Sequence, residues 1–152
     1  AFNHIVDVNL RGPINCLSAL VPNMGTSSIG TIAVVSSLLD SRAVPGSAPY
    51  IATKSAVTCL FEGASLELSR TNIRIVTIRP GFIATAMTAK NRSPMPMLLR
   101  SDTAARYTID RLLKGKRVIS FPRPMAIASY LMRSSPRMLW HAFLWATGMA
   151  AR

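Results

Sequence analysis

The sequence predicts an α/β fold in which a parallel sheet lies between two layers of helices. Three observations carry this prediction. Apolar residues recur at helical spacing over 2–24, two runs rich in β-branched residues occupy 30–37 and 72–78, and a long helical pattern over 50–68 separates those runs. A crossover of strand, helix and strand is normally right-handed and joins parallel strands. We therefore expect a doubly wound parallel sheet in a three-layer α/β/α arrangement.

The first three elements follow from the spacing of their apolar residues. The opening helix is predicted to end near Pro22 and Gly25. Its apolar positions are Ile5, Val8, Ile14, Leu17, Leu20 and Val21. The run at 30–37 follows turn-forming residues and suits a strand that is buried on both faces. The helix over 50–68 is predicted to bury one face of residues four apart. That face comprises Ala52, Ala56, Leu60, Ala64 and Leu68.

The remaining elements surround an irregular segment. Arg79-Pro80-Gly81 is predicted to close the second strand, because proline cannot donate to a strand ladder. The segment 84–102 has no clear period and is interpreted as a mobile loop or lid. Ser101-Asp102-Thr103 is predicted to cap a helix that ends near Lys114, and 117–121 is predicted to be a short edge strand. Helical spacing returns from Pro124, so we divide the chain into a main part, 1–123, and a basic, apolar helical tail, 124–152.

Composition narrows the classes of function. The 152 residues carry a net charge of +12, but the basic residues lack the interleaved aromatic side chains typical of nucleic-acid binding. We therefore expect no nucleic-acid partner and interpret the charge as a solvated basic face. The two cysteines fit a reducing, cytoplasmic compartment, and no Cys/His cluster predicts a metal site. The longest apolar stretch falls short of the length that spans a bilayer.

Two side chains suggest acid–base chemistry. Tyr50 and Lys54 stand four residues apart and so project from one face of the predicted helix. An ammonium group favours the ionised form of a nearby phenol and makes it a better proton donor. Ser37 follows the first strand, at the edge where open parallel sheets bind ligands, and Asn9 is a polar residue within the first helix. Each also has an ordinary structural explanation: a chance pair, a turn residue or a core amide.

Taken together, these motifs resemble the short-chain dehydrogenase/reductase family over residues 1 to 88. The segments that carry the resemblance are Val8-Asn9-Leu10-Arg11-Gly12, Val35-Ser36-Ser37, Tyr50-Ile51-Ala52-Thr53-Lys54 and Arg79-Pro80-Gly81-Phe82-Ile83-Ala84-Thr85. The resemblance implies a Rossmann-like sheet and an oxidoreductase that uses NAD or NADP to interconvert an alcohol and a carbonyl. It also implies a homo-oligomer in which the Tyr50 helix is an interface element.

The resemblance also implies a role for each matching residue. Tyr50 is the proton donor or acceptor, Ser37 orients the substrate carbonyl, and Lys54 holds the nicotinamide ribose. Asn9 fixes a water in the proton relay. The cofactor-binding residues implied are Asn9, Tyr50, Lys54, Pro80, Gly81, Ile83 and Thr85, with the segment from Pro80 to Thr85 along the nicotinamide.

The chain departs from the family in one large respect. It contains no Gly-rich turn between a strand and a helix, which is where such folds bind the pyrophosphate. NAD and NADP therefore cannot be distinguished from these residues. We interpret the chain as the carboxy-terminal portion of a longer protein. The alternative is a catalytically silent module that binds a partner or a membrane surface.

Two further segments suggest the kind of substrate and surface. The lid segment is rich in flexible thioethers and prolines, which favours a lipophilic substrate. Its apolar members are Met87, Met95, Met97, Leu98 and Leu99. The tail 124–152 combines aromatic and aliphatic residues with arginines, so it could lie on an anionic membrane surface as a peripheral contact, pack on another subunit, or pack on its own domain.

Overall fold

A computed structural model describes residues 2–24, 29–91 and 94–147 of the chain. Its α-helices and strands are numbered in chain order. The helices are α1 (Phe2–Val6), α2 (Gly12–Met24), α3 (Ala48–Glu67), α4 (Ser101–Leu113), α5 (Arg123–Ser134) and α6 (Arg137–Ala146), with a π turn at Asp7–Arg11 and 3₁₀ turns at Leu68–Arg70 and Thr88–Lys90. The strands are β1 (Gly30–Val35), β2 (Ile73–Pro80), β3 (Ile83–Ala84), β4 (Leu99–Arg100) and β5 (Val118–Phe121).

The main sheet is parallel, as predicted. Its strand order is β1-β2-β5, with Ile32 beside Ile75 and Ile78 beside Ile119. The run 117–121 therefore forms an edge strand of this sheet. All three strands end at the same edge, and the polar residues that follow them are brought together there.

Helices cover both faces of the sheet, which confirms the three-layer arrangement. On one face, Val57 and Phe61 of α3 pack against β1 and β2, with Leu17 of α2 at the margin. On the other face, Ala104 and Tyr107 of α4 pack against β2 and β5. The two cores meet at β2, whose buried side chains alternate between them.

The prediction that the first strand is buried on both faces was wrong. Only Ile32 and Val34 are buried, whereas Val35 is 55% exposed. The helix α4 lies over β2 and β5, so no described helix covers the second face of β1. A continuous apolar run shows that a strand is apolar on both faces, but the neighbours decide which of those faces is covered.

The predicted core face of the 50–68 helix was right only near its end, where Ala64 is buried and Leu68 packs against the same core. The buried residues of α3 are Ile51, Thr53, Val57, Phe61 and Ala64. Ala52 is exposed, and Leu60 is 36% exposed. The small alanines formed the more regular pattern, but the larger Ile51, Val57 and Phe61 bury more apolar area and therefore set the orientation of the helix.

The strand predicted to close at Arg79-Pro80-Gly81 ends at Pro80, two residues beyond the predicted run 72–78. Pro80 is in register with Phe121 of β5, and its carbonyl oxygen accepts a hydrogen bond from the Leu38 amide at 3.0 Å. Proline lacks only the donor, so its acceptor still serves the ladder. Beyond it, the segment interpreted as a lid is anchored at its base, because β3 and β4 pair in parallel.

The last three helices agree with the predicted spacing. The predicted cap at Ser101-Asp102-Thr103 was wrong, because α4 begins at Ser101 and its N-cap residue is Arg100, whose side chain makes no capping hydrogen bond. The tail forms the two helices α5 and α6, and α5 follows β5 directly. None of the described helices combines the length and hydrophobicity needed to cross a bilayer.

Candidate active site at the carboxyl ends of the strands

The helix α3 presents Tyr50 and Lys54 on one face. The Lys54 Nζ lies 5.9 Å from the centroid of the Tyr50 ring and donates a hydrogen bond to the Val35 carbonyl oxygen at 2.9 Å. This bond fixes the ammonium at the end of β1. Burial lowers the pKa of Lys54 below its ordinary value of 10.5, because desolvation disfavours the charged form.

The two serines after β1 have different partners. The Ser36 hydroxyl donates to the Lys54 carbonyl oxygen at 3.0 Å and contacts the Thr58 hydroxyl at 2.6 Å, which ties the strand end to α3. The Ser37 hydroxyl accepts from the Leu39 amide at 3.0 Å. Its own proton can therefore be donated to another oxygen, as the role implied for Ser37 requires.

Asn9 lies in the π turn between α1 and α2. Its Nδ2 donates to the Thr53 hydroxyl at 3.3 Å, and that hydroxyl donates to the Tyr50 carbonyl oxygen at 2.8 Å. A π turn adds one residue to a helical turn, and such turns are frequent at functional sites. Asn9 is therefore connected to the first turn of α3 through Thr53, the residue that precedes Lys54.

The segment after β2 is organised by a residue that the sequence did not single out. The Thr88 hydroxyl donates to the Ile83 carbonyl oxygen at 2.6 Å and accepts from the Thr85 amide at 2.8 Å. This closes a compact turn just beyond Pro80 and Gly81. The Gly81 amide in turn donates to the Phe121 carbonyl oxygen at 2.7 Å, which fixes the start of the segment against β5.

A buried ion pair joins the loop after β1 to the end of β2. Arg79 donates to the Asp40 carboxylate through Nε at 2.7 Å and through Nη2 at 2.5 Å. The Asp40 side chain is fully buried, and that of Arg79 is 12% exposed. The Thr58 hydroxyl of α3 donates a third hydrogen bond to the carboxylate at 2.8 Å. One carboxylate therefore links the Ser37 loop, the Tyr50 helix and β2.

Three side chains fasten the tail helices to the same loop. The Arg42 guanidinium donates to the carbonyl oxygens of Met132, Arg133 and Ser135 at the end of α5. The Ser129 hydroxyl donates to the Leu38 carbonyl oxygen at 2.7 Å, and the Trp140 indole donates to the Ala43 carbonyl oxygen at 3.0 Å. A cation at the carboxyl end of a helix also complements the helix dipole.

The loops after β1 and β2 and the helices α3, α5 and α6 surround a cavity of about 540 Å³, and both Ser37 and Tyr50 line it. Most of its other walls are apolar. They are formed by Leu38, Leu39, Phe82, Met87, Pro96, Met125, Ala128, Met132 and Phe143. Of the five apolar lid residues, only Met87 lines the cavity; Leu99 packs in the core with α4, and Met97 is 52% exposed. The methionines of α5 supply the thioethers that the lid was expected to supply.

The structure thus gathers the predicted residues into one region. Ser37, Tyr50 and Gly81 line the cavity, Lys54 lies beside the Tyr50 ring, and Asn9 reaches α3 through Thr53. Lys54 has one protein acceptor among the described residues, so the remaining hydrogens of its ammonium can be donated to another group. In the described ranges no three His, Cys, Asp or Glu side chains converge as metal ligands.

The sequence analysis assigned no ion pair or positioning role to Asp40, Arg79 or Arg42. Asp40 is one of only six acidic residues and follows an apolar strand, while Arg79 ends the neighbouring strand. Because adjacent parallel strands end at one edge, that pattern could have predicted their contact. No comparable signal predicts Arg42, because its partners lie about ninety residues away on α5.

Comparison with known proteins decides the family. The sequence profile of the short chain dehydrogenase family matches residues 1–96, more than half of the chain. The chain belongs to this family. An uncharacterized oxidoreductase of Myxococcus xanthus is 32% identical over 138 residues, which are 91% of this chain and 54% of that protein. A 3-oxoacyl-[acyl-carrier-protein] reductase of Staphylococcus aureus is 36% identical over 87 residues, 57% of this chain and 35% of the reductase.

Solved structures agree with this assignment. A short chain dehydrogenase of Burkholderia cenocepacia in complex with NADP has a TM-score of 0.81 and 28% identity, over 95% of this chain and 60% of that one. An alcohol dehydrogenase of Thermococcus sibiricus complexed with 5-hydroxy-NADP has a TM-score of 0.64 and 26% identity, over 79% and 52% of the two chains. The matched part of this short-chain dehydrogenase chain spans between about a third and about half of the length of these curated relatives.

Proposed function

We propose that the complete protein is an NAD(P)-dependent oxidoreductase that interconverts an alcohol and a carbonyl. One observation carries the proposal: the Tyr50 and Ser37 side chains line one cavity, and the Lys54 ammonium lies beside the Tyr50 ring. A phenol, a hydroxyl and a cation converge where a substrate oxygen can be held and protonated. The relatives named above as dehydrogenases and reductases support the same class of reaction.

In this proposal each residue has a distinct role at the substrate oxygen. Tyr50 donates its proton to the carbonyl oxygen during reduction and its phenolate accepts that proton during oxidation. Ser37 donates a hydrogen bond to the same oxygen and so positions the carbon. Lys54 stabilises the phenolate form of Tyr50. Asn9, through Thr53, holds the first turn of α3, and its proposed role is to order a water for the proton relay.

The nicotinamide end of a dinucleotide fits the donors present. Lys54 has ammonium hydrogens available for ribose hydroxyls, and Tyr50 lies on the same helix face. We propose that the segment from Pro80 to Thr85, which includes Gly81 and Ile83, lies along the nicotinamide. When bound, the nicotinamide supplies or accepts the hydride. The given sequence contains no Gly-rich turn for the pyrophosphate, so the proposal extends to NAD and NADP alike.

We further propose that the substrate is lipophilic. The walls contributed by Phe82, Met125, Met132 and Phe143 are apolar, and methionine adapts its shape to varied ligands. Comparing kcat/KM for medium-chain, bulky cyclic and small polar alcohols tests this. A preference for the small polar alcohols would contradict it.

We also propose a homo-oligomer that uses α3. Its outward side carries Cys59, Leu60 and Leu66, of which Leu66 is 72% exposed. Substituting Leu66 with Glu places a charge on that side. The expected result is a smaller species in analytical ultracentrifugation, and an unchanged sedimentation coefficient would count against an interface there.

The oxidoreductase proposal is tested by Tyr50→Phe in the complete protein. This variant keeps the ring and removes the proton, so kcat is expected to fall by about 10²–10⁴-fold. Tyr130→Phe is the matched control, because Tyr130 is 67% exposed and does not line the cavity. If Tyr50→Phe retains the turnover of the control, Tyr50 is not the acid–base group.

A further inference from the structure

The tail helices carry an exposed apolar surface that their packing does not use. We define the outer face of α5 and α6 by six large side chains that are between 62% and 83% exposed. They are Ile127, Tyr130, Leu131, Met138, Leu139 and Trp145. On α5, the residues Ile127, Tyr130 and Leu131 follow three- and four-residue spacings, so they form one stripe along the helix.

The opposite side of the same helices is buried against the rest of the protein. Ser129 is buried and bonded to the Leu38 carbonyl oxygen, and Trp140 is buried and bonded to the Ala43 carbonyl oxygen. Leu144 is also buried. The helices are therefore held against the site loop by their inner side, whereas the six residues of the outer face are mainly exposed. Exposed apolar patches of this kind mark interaction surfaces.

The charge around the outer face indicates what it contacts. Beyond Asp110 the sequence contains eight Lys and Arg residues and no acidic residue. Three of these, Arg123, Arg133 and Arg137, are exposed on the two helices themselves. Two copies of this face would place like charges against each other, whereas an anionic surface would neutralise them. Tryptophan, tyrosine and arginine beside aliphatic residues are the composition of helices that lie in a membrane interface.

We propose that the outer face of α5 and α6 docks on the surface of an anionic bilayer. The six apolar side chains enter the interfacial region, and the arginines contact lipid phosphates. The helices lie parallel to the bilayer surface as a peripheral contact and do not cross it.

The same surface lies next to the candidate active site. A depression of about 230 Å³ opens between Leu131, Leu139 and Trp140, and it is bounded by Met132 and Phe143. Met132 and Phe143 also line the cavity that contains Tyr50. The depression and the cavity therefore share these two side chains as lining residues. In this proposal a lipophilic substrate dissolved in the bilayer reaches Tyr50 past Met132 and Phe143; this route, unlike the docking, rests on the proposed function.

Vesicle co-sedimentation of the complete protein tests the docking. Binding to phosphatidylglycerol-containing vesicles should exceed binding to pure phosphatidylcholine vesicles and should weaken in 0.5 M salt, by about fivefold for each arginine that no longer binds a lipid phosphate. Leu131→Gln with Leu139→Gln should weaken binding about tenfold or more, because two apolar groups leave the interface. Arg133→Gln with Arg137→Gln provides a second variant that leaves the apolar residues in place.

The matched controls lie on α4. Leu113→Gln removes a leucine that is 83% exposed, and Arg106→Gln removes an exposed arginine, both away from the outer face. Unchanged binding in these variants supports the assignment, while equal losses in both sets would overturn it. Equal binding to neutral and anionic vesicles, or no binding, would also overturn it. Self-association without vesicles that Leu131→Gln abolishes would assign the face to a second copy instead.

The docking proposal and the oxidoreductase proposal can be refuted independently of each other. Tyr50→Phe should abolish turnover and leave vesicle binding unchanged, whereas the leucine double variant should weaken vesicle binding and leave turnover of a water-soluble alcohol unchanged. For a lipophilic alcohol presented in anionic vesicles, the leucine variant should raise KM severalfold with little change in kcat. An unchanged KM would overturn the delivery route while leaving the oxidoreductase proposal standing.

Discussion

The buried pair between Asp40 and Arg79 offers the sharpest test of how the site is held together. Asp40→Asn keeps the shape of the side chain but removes its charge and replaces one acceptor oxygen with an NH₂ group. The carboxylate accepts two hydrogen bonds from Arg79 and one from Thr58, so the variant leaves at least one donor facing another donor. Arg79 then remains as an uncompensated cation in a region where its side chain is only 12% exposed.

The expected destabilisation follows from that geometry. Removing one partner of a buried ion pair lowers the free energy of unfolding by about 3–5 kcal/mol. Asparagine retains one acceptor for Arg79 or Thr58, which places the cost near the lower end, about 3 kcal/mol. That corresponds to roughly a 150-fold change in the unfolding equilibrium. The neutral pair Asp40→Asn with Arg79→Gln removes the buried cation and should recover at least about 1 kcal/mol of this stability.

Urea unfolding of the complete protein, followed by tryptophan fluorescence, measures these differences. Asp7→Asn is the matched control because Asp7 and Arg11 form an exposed i,i+4 pair, worth about 0.3–0.5 kcal/mol. If Asp40→Asn costs no more than Asp7→Asn, the pair does not hold the loop to β2. If the double variant is additive, the two side chains are not coupled.

Three further substitutions probe the neighbouring contacts. Arg42→Met should lower the free energy of unfolding by about 1–2 kcal/mol and speed amide hydrogen exchange in α5, because the carbonyl oxygens at the end of α5 lose their donor. Unchanged exchange would contradict this. Trp140→Phe should lower the free energy of unfolding, measured in urea, by about 1 kcal/mol, because the variant keeps an aromatic ring but loses the hydrogen bond to Ala43. Trp145→Phe on the exposed face is the control. Lys54→Met tests the lowered pKa of Lys54. Between that pKa and 10.5 the unfolded state binds more protons than the folded state. The stability of the protein that carries Lys54 should therefore rise with pH in this window, relative to the variant. A stability difference that does not change with pH in this window would show that burial does not perturb Lys54.

Much of the architecture could be predicted from the sequence. The β-branched runs became β1 and β2, the 50–68 pattern became α3, and the crossover rule gave a parallel sheet. These successes share a cause, since strand and helix periods are local properties of the chain. The spacing of Tyr50 and Lys54 on one helix face belongs to the same class of local information. The roles assigned to these residues, and the division at residue 124, stay predictions.

The errors concern which surfaces are covered. The predicted face of α3 is exposed at Ala52 and Leu60 although Ala64 on the same face is buried, and one face of β1 is uncovered among the described elements. Periodicity identifies candidate faces, but several faces of α3 carry apolar or small residues. Burial depends on the position of α4, and no local pattern encodes that position.

By itself, then, the sequence determined the order of strands and helices and the family motifs along them, because both depend on residues close together in the chain. The tertiary structure decided what surrounds the candidate site. It placed Asp40 against Arg79 and Arg42 against the end of α5, and it made α5 rather than the lid the main source of methionines in the cavity. These contacts join residues about forty to ninety positions apart. Such pairings follow from how the layers pack, and that packing is fixed only when the whole fold forms.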